Sequence, residues 1–284
     1  MEVEMENRVV LASYLEDFER YLIEQERCVN TIKKYLHDVG DFMRFCGGEA
    51  VDKMTVIAYK ERLSSSYTPS GANSMIAAMN SFLKFLGWYD LCVKQLKVQR
   101  EVYTPEEKEL TRAEYMRLIV CAEKNKNERL SLIIQTICST GMRVSELQFV
   151  SVEAVKKGEV CVACKGKRRT VFIVRELRKK LLSYAQRRGI RSGAIFVTSR
   201  GHVIHRSSIW REMKALCREA RVMPEKVFPH NLRHLFARVF YSIDKDIAKL
   251  ADILGHSSIN TTRIYVMTTC AEHRRRMECM RLIM

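Results

Sequence analysis

The chain has 284 residues, enough for one large domain or two of ordinary size, and a composition 47% hydrophobic and 29% charged is globular rather than disordered. No apolar run approaches ~18 residues and the opening MEVEMENR is acidic, so neither a membrane span nor a secretory signal is predicted, and the ten scattered cysteines read as reduced thiols of a cytoplasmic protein. The net charge of +16 is uneven: of 49 Lys+Arg and 33 Asp+Glu, residues 1–100 hold 13 and 14, leaving 36 and 19 to residues 101–284, a balance that attracts polyanions and above all nucleic acid.

The first ninety residues read as four helices. Leu11, Tyr14, Leu15, Phe18, Tyr21 and Leu22 recur at helical spacing, as do Ile32, Tyr35, Leu36, Val39 and Phe42. A shorter helix is expected from Met54 to Leu63, and a fourth after TPSG, with Ile76, Met79, Phe82, Leu83 and Leu86 on one face. The stretch VKQLKVQREVYTPEEKEL then carries charges and Pro105 with little periodicity, as a linker does.

Beyond it, Thr111 with Glu114 three residues on has the pattern of a capping box, and helices are expected at 112–124 and 128–140. In GEVCVACKGKRRTVFIV two β-branched runs, Val160–Ala163 and Thr170–Val174, flank a basic turn, which predicts a β-hairpin with Lys165, Lys167, Arg168 and Arg169 at its tip. A helix near 175–187, a short strand at AIFV, and helices near 207–220, 230–242, 244–254 and 257–264 complete a mainly α chain with a small β-sheet, an α+β fold class.

Four pieces of this second part concentrate reactive side chains. TGMRVSEL opens a helix after a glycine, with Arg143 and Glu146 three apart on one face. The basic hairpin follows, and PHNLRH sets His230 and Arg233 at the same spacing on another helix. LGHSSINTTRIY adds His256 and Tyr265. A phenol with a pKa near ~10 is a poor nucleophile unless a neighbour accepts its proton. These groups suit attack on a phosphodiester without a metal. Two guanidinium groups grip the non-bridging oxygens and stabilise the charge that grows in the transition state, a histidine moves the tyrosine proton, and a lysine protonates the leaving oxygen.

TGMRVSEL, KGK, HNLRH and LGHSSINTTRIY, in this order, resemble the tyrosine site-specific recombinases, the lambda-integrase and Xer-like family. The motifs span Thr140 to Tyr265, and the helical first ninety residues are similar in size and placement to that family's core-binding domain. The resemblance implies a helical SAM-like core-binding domain over 1–92 and an interdomain linker over 93–109. A mixed catalytic domain with a C-terminal exchange helix would follow over 110–284, the whole closing as a C-shaped clamp on double-stranded DNA. It makes Tyr265 the nucleophile that forms a 3′-phosphotyrosyl link and frees a 5′-hydroxyl. Arg143 and Arg233 would clamp the scissile phosphate, His230 would act as general acid and base, and His256 would hydrogen-bond the phosphate. A hairpin lysine would protonate the departing oxygen: Lys165, before the glycine, is favoured over Lys167. Glu146 matches a supporting position and would orient Arg143. The resemblance further implies a homo-tetramer on two DNA sites, working through a Holliday junction with no cofactor, metal or membrane; whether a partner recombinase takes part stays open. The chain departs from the family in KGKRR, where the Xer-like pattern more often has one extra residue between the lysines, and in VMTT after the tyrosine.

Other readings were set beside this one. A type IB topoisomerase-like nicking–closing enzyme would share the chemistry, and a non-cleaving DNA-binding accessory protein would share the charge. His230 and His234 at i and i+4 could suggest zinc, but Asn231 stands where a zincin motif needs Glu. Cys161 and Cys164 point to opposite faces of a strand, and Tyr103, Tyr184 and Tyr241 read as packing residues. Arg168 and Arg169 divide between solvated surface and phosphate contact. The DNA target sequence and the biological role, whether dimer resolution, integration and excision, or inversion, are not encoded in motifs.

Overall fold

The computed structural model describes residues 8–98, 108–164, 167–266 and 270–280. The chain divides into two compact units, Met1–Arg100 and Glu101–Met284. Among the described residues no helix is long and apolar enough to cross a membrane.

In the first unit the aromatic periodicity becomes core. Helices α1 (Tyr14–Glu24), α2 (Val29–Cys46), α3 (Lys53–Ser66) and α4 (Pro69–Phe85) bury Phe18, Leu22, Val39, Phe42, Tyr59, Phe82 and Leu83. The rings of Phe18 and Phe82 meet edge to face at 5.2 Å, a geometry that suits the ring quadrupoles. Asp52 and Thr68 cap α3 and α4, so both helices begin earlier than their apolar stripes indicate. Residues 93–96, expected to begin a linker, are pinned to α4 by two paired amide contacts. Asn80 exchanges hydrogen bonds with the Val93 backbone at 2.8 and 3.0 Å, and Asn73 with that of Leu96 at 2.9 and 2.7 Å.

The second unit is built on α6 (Glu128–Thr140), whose Leu130, Ile133, Ile134 and Ile137 are fully buried. It packs against α5 (Arg112–Lys124), α8 (Arg175–Arg187), α9 (Arg206–Ala220) and α10 (Pro229–Ile243). The capping box expected at Thr111 and Glu114 is present and starts α5. Two expectations need correction here, and one further helix joins the fold. TGMRVSEL does not open an α-helix: Gly141 ends α6 with φ +65, and Val144–Phe149 forms a 3-10 helix whose cap is Arg143. A short α7 (Val152–Lys157), capped by Ser151, follows it unforeseen. AIFV makes single bridges, Ser151 with Ala194 and Val197 with Val203, rather than a strand, because Ile195 and Phe196 enter the core at the point where the chain turns.

The hairpin is real but differs in register. Strands β1 (Glu159–Cys164) and β2 (Lys167–Phe172) pair Cys164 with Lys167, Ala163 with Arg168 and Val162 with Arg169. Lys167, Arg168 and Arg169 therefore belong to a strand and not to its tip, and only Lys165 and Gly166, outside the described residues, intervene. Alternation along β2 turns Arg169 to the same side as buried Val171, while Phe172 faces solvent. Helices α11 (Ile247–Leu254) and α12 (Ile259–Arg263) are shorter than expected, and α12 stops before Tyr265. Helix α13 (Cys270–Cys279) follows.

Candidate active site

Four helix ends and one strand converge around Tyr265. Two glycines make the convergence possible. Gly141 at the end of α6 and Gly255 at the end of α11 both adopt left-handed conformations, φ +65 and +63, that other residues enter at a cost. A Cβ on Gly141 would lie 2.4 Å from the Phe236 ring, and one on Gly255 would lie 2.7 Å from Arg169 Cδ. Turning there, the chain presents its terminal helix carbonyls to arginines. Arg233, on the first turns of α10 and only 1% exposed, donates from Nη1 to the Gly141 carbonyl at 2.5 Å and from Nη2 to that of Leu254 at 2.6 Å. Arg143 donates from Nη2 to the Gly255 carbonyl at 3.2 Å. These carbonyls carry the partial negative charge of a helix C-terminus, which favours cations.

Glu146, 2% exposed, organises Arg143 from both ends. Its Oε2 accepts from the Arg143 amide at 2.7 Å and its Oε1 from Arg143 Nη1 at 3.0 Å. The i, i+3 spacing in the sequence signals this pairing, and a 3-10 turn, which eclipses such positions, brings the pair together more directly than an α-helix would.

Tyr265 is 5% exposed and part of a small apolar cluster with Ala237, Leu250 and Leu254. Three imidazoles surround its ring. His234 stacks on it, with centroids 4.0 Å apart and planes inclined 12°, while His230 and His256 approach at 5.2 and 5.0 Å. The Tyr265 hydroxyl lies 3.1 Å from His230 Nε2, and the Arg233 guanidinium carbon sits 5.9 Å from the ring centre. Burial, then the charges of Arg233 and Arg143, push the His230 pKa below its ordinary value. A ring held neutral can accept the phenol proton through Nε2.

His256 has a determined tautomer. Arginine has no acceptor, so the 2.9 Å contact between Arg233 Nη2 and His256 Nε2 makes that nitrogen the acceptor. The ring proton then sits on Nδ1 and is donated to Thr262 Oγ1 at 2.8 Å. Burial first, then Arg233, Arg143, His230 and Arg169, lower the His256 pKa to about 4. Burial and the Arg143 charge lower that of Arg233 to about 10, which leaves it cationic at neutral pH.

Of the residues singled out in the sequence, Arg143, His230, Arg233, His256, Tyr265 and Glu146 meet here, while Lys165 lies outside the described residues. Three others join the site that were not among the catalytic candidates: His234, weighed only as a zinc ligand, Thr262, and Arg169, divided between solvated surface and phosphate contact. His234 is one turn from His230, and that spacing was a usable signal for a shared face. Thr262 is buried three residues before Tyr265. Arg169 donates to Glu146 Oε2 at 2.5 Å and to the Ile253 carbonyl. Among the described residues no three His, Cys, Asp or Glu side chains gather as a metal site. What the arrangement can do is bind an oxyanion between two guanidinium groups and take a proton from the adjacent phenol.

Two family models match the chain: the phage integrase family over residues 108–272, and the phage integrase N-terminal SAM-like domain over residues 15–89. The tyrosine recombinase XerA of Pyrococcus furiosus is 30% identical over 277 residues, covering 95% of this chain and 94% of that protein. A crystal structure of XerA recombinase superposes with a TM-score of 0.55 at 27% identity, covering 96% of this chain and 99% of the other. A lambda integrase tetramer bound to a Holliday junction shares the fold, with a TM-score of 0.73 at 16% identity over 92% of this chain and 78% of that one.

Proposed function

This chain belongs to the phage integrase family and is a site-specific tyrosine recombinase, and we propose that it cuts DNA through Tyr265. His230 accepts the phenol proton, the Tyr265 oxygen attacks the scissile phosphorus, and the bond to the 5′ oxygen breaks. Arg143 and Arg233 neutralise the charge that accumulates on the non-bridging oxygens, usually the largest catalytic contribution. Lys165 protonates the departing 5′ oxygen, which leaves as a hydroxyl. The 3′-phosphotyrosyl ester conserves the phosphodiester energy, so reversal with a new 5′-hydroxyl rejoins the strand without a nucleotide. His256, whose Nε2 accepts from Arg233 in this conformation, holds that guanidinium in place; to donate to a phosphate from Nε2 it must both release Arg233 and carry a proton on that nitrogen.

The observation that carries this reading is the 3.1 Å contact between the Tyr265 hydroxyl and His230 Nε2, beside a buried Arg233. The lambda integrase of the same fold is a tetramer bound to a Holliday junction, and by that likeness four protomers would exchange strands between two duplex sites. Met277 in helix α13 and Met280 just past its end are exposed, and a helix of ten residues is marginal in water unless it docks. A neighbouring protomer is the proposed dock.

The test uses DNA sites selected from a random duplex library by the binding of Tyr265→Phe, then nicked at positions stepped across each site. Loss of the short fragment after cleavage traps the covalent complex. Wild type should be trapped on the 3′ end, Tyr241→Phe should be trapped as well, and Tyr265→Phe should bind equally and never be trapped. A chelator should make no difference. An adduct with Tyr265→Phe would overturn the mechanism.

A further inference from the structure

Arg169 enters the site from the hairpin and meets three of its parts. Its Nη2 donates at 2.5 Å to Glu146 Oε2, the same oxygen that accepts from the Arg143 amide. Its Nη1 donates to the Ile253 carbonyl, and its Cδ lies against Gly255, where a Cβ would approach to 2.7 Å. The last carbonyls of α11 thus hold three guanidinium groups in succession: Ile253 holds Arg169, Leu254 holds Arg233 and Gly255 holds Arg143.

Charge explains why a third arginine matters. The Glu146 side chain is 3% exposed and that of Arg169 13%. A carboxylate this buried interacts strongly with its neighbours because little water screens it. Arg143 paired with Glu146 alone would form a neutral unit with little attraction left for an incoming phosphate. With Arg169 on the same carboxylate, the trio carries a net positive charge, and Arg233 adds another. We propose that Arg169 is a positioning residue for strand cleavage: it balances Glu146 and so leaves the charge of Arg143 available to the scissile phosphate. This rests on the reading of Arg143 as part of the phosphate clamp.

The alternative role is glue between hairpin and helix, and a double-mutant cycle separates the two. Single-turnover cleavage is measured with full-length protein on the selected nicked duplexes. R169Q should bind them within about threefold of wild type yet cleave on the order of 100-fold more slowly, the loss typical of a displaced transition-state donor. R169K, which keeps the charge without the planar fork, should fall between. In the E146Q background the same R169Q change should cost no more than about threefold, because no carboxylate remains to be balanced; that non-additivity is the signature of direct coupling. Should R169Q fail to fold with an unpaired buried carboxylate, E146Q/R169Q compared with E146Q still decides. Equal losses in both backgrounds, or none with Glu146 present, overturn the proposal. If wild type itself is never trapped, the assignment of Tyr265 and the clamp fails and takes this one with it. If wild type is trapped while R169Q is trapped just as fast, only the role of Arg169 falls.

Discussion

The Tyr265 ring is both packing residue and candidate nucleophile. The ring lies in an apolar cluster and stacks on the neutral His234 imidazole, while the hydroxyl reaches His230 Nε2. Keeping those imidazoles neutral has a consequence for stability. Burial, then the charges of His230 and Arg233, lower the His234 pKa from 6.5 to about 4, and His256 is lowered to about 4 as well. Unfolded, both rings titrate near 6.5, so between pH 6.5 and 4 the unfolded chain binds more protons than the folded one. Stability from these rings is complete above pH 6.5 and is lost as pH falls towards 4. Urea midpoints taken between pH 7.5 and 4.5 should fall with acidification. His234→Phe, which keeps the ring stack without the titration, should flatten that dependence. An unchanged slope in His234→Phe would show that His234 does not contribute.

At the scale of elements, the site is made from ends rather than middles of helices. The carbonyls that have no partner within α6 and α11 take arginines as theirs, and a glycine with positive φ turns the chain at each end. Gly141→Ala should therefore cost more than a turn glycine elsewhere. The left-handed conformation alone disfavours a side chain by about 1–2 kcal/mol. The new methyl would also displace the Phe236 ring and shift the carbonyl that holds Arg233. Gly193→Ala is the comparison, since φ is +75 there but nothing lies within 4 Å. For a unit this large each kcal/mol lowers Tm by roughly 2–4 °C. Thermal melts should place Gly141→Ala well below Gly193→Ala, and equal melting temperatures would mean that the Phe236 contact yields freely.

At the scale of the whole molecule, the two units differ in charge. The first is close to neutral and the second strongly basic, which places most non-specific attraction for DNA in the second. The proposed assembly would draw on a different feature, the exposed Met277 and Met280 at the end of α13. Removing residues 270–284 should leave binding to a single selected site intact and abolish the pairing of two sites. Mobility-shift assays with one-site and two-site DNA read the two effects separately. Full-rate recombination by the truncated protein would show that α13 does not link protomers.

What the sequence determined by itself was written within a turn or two of chain. Phe18 and Leu22, or Phe82 and Leu83, mark a buried helical face by spacing alone, and Thr111 with Glu114 marks a helix start because both partners lie in one turn. The candidate site residues were legible for the same reason, as short motifs of fixed spacing. Tertiary structure alone decided how those motifs join. Arg143 meets the Gly255 carbonyl across 112 residues and Arg233 meets that of Gly141 across 92, and such contacts depend on how whole helices pack. The β2 register decided the fate of Arg169. Alternation from Val171 and Ile173 turns it inward, whereas the clustering of four basic residues reads as a hairpin tip, with Arg169 divided between solvated surface and phosphate contact. A one-residue slip in how β2 pairs with β1 would reverse which side chains face the core, and the observed pairing of Val162 with Arg169 settles that choice.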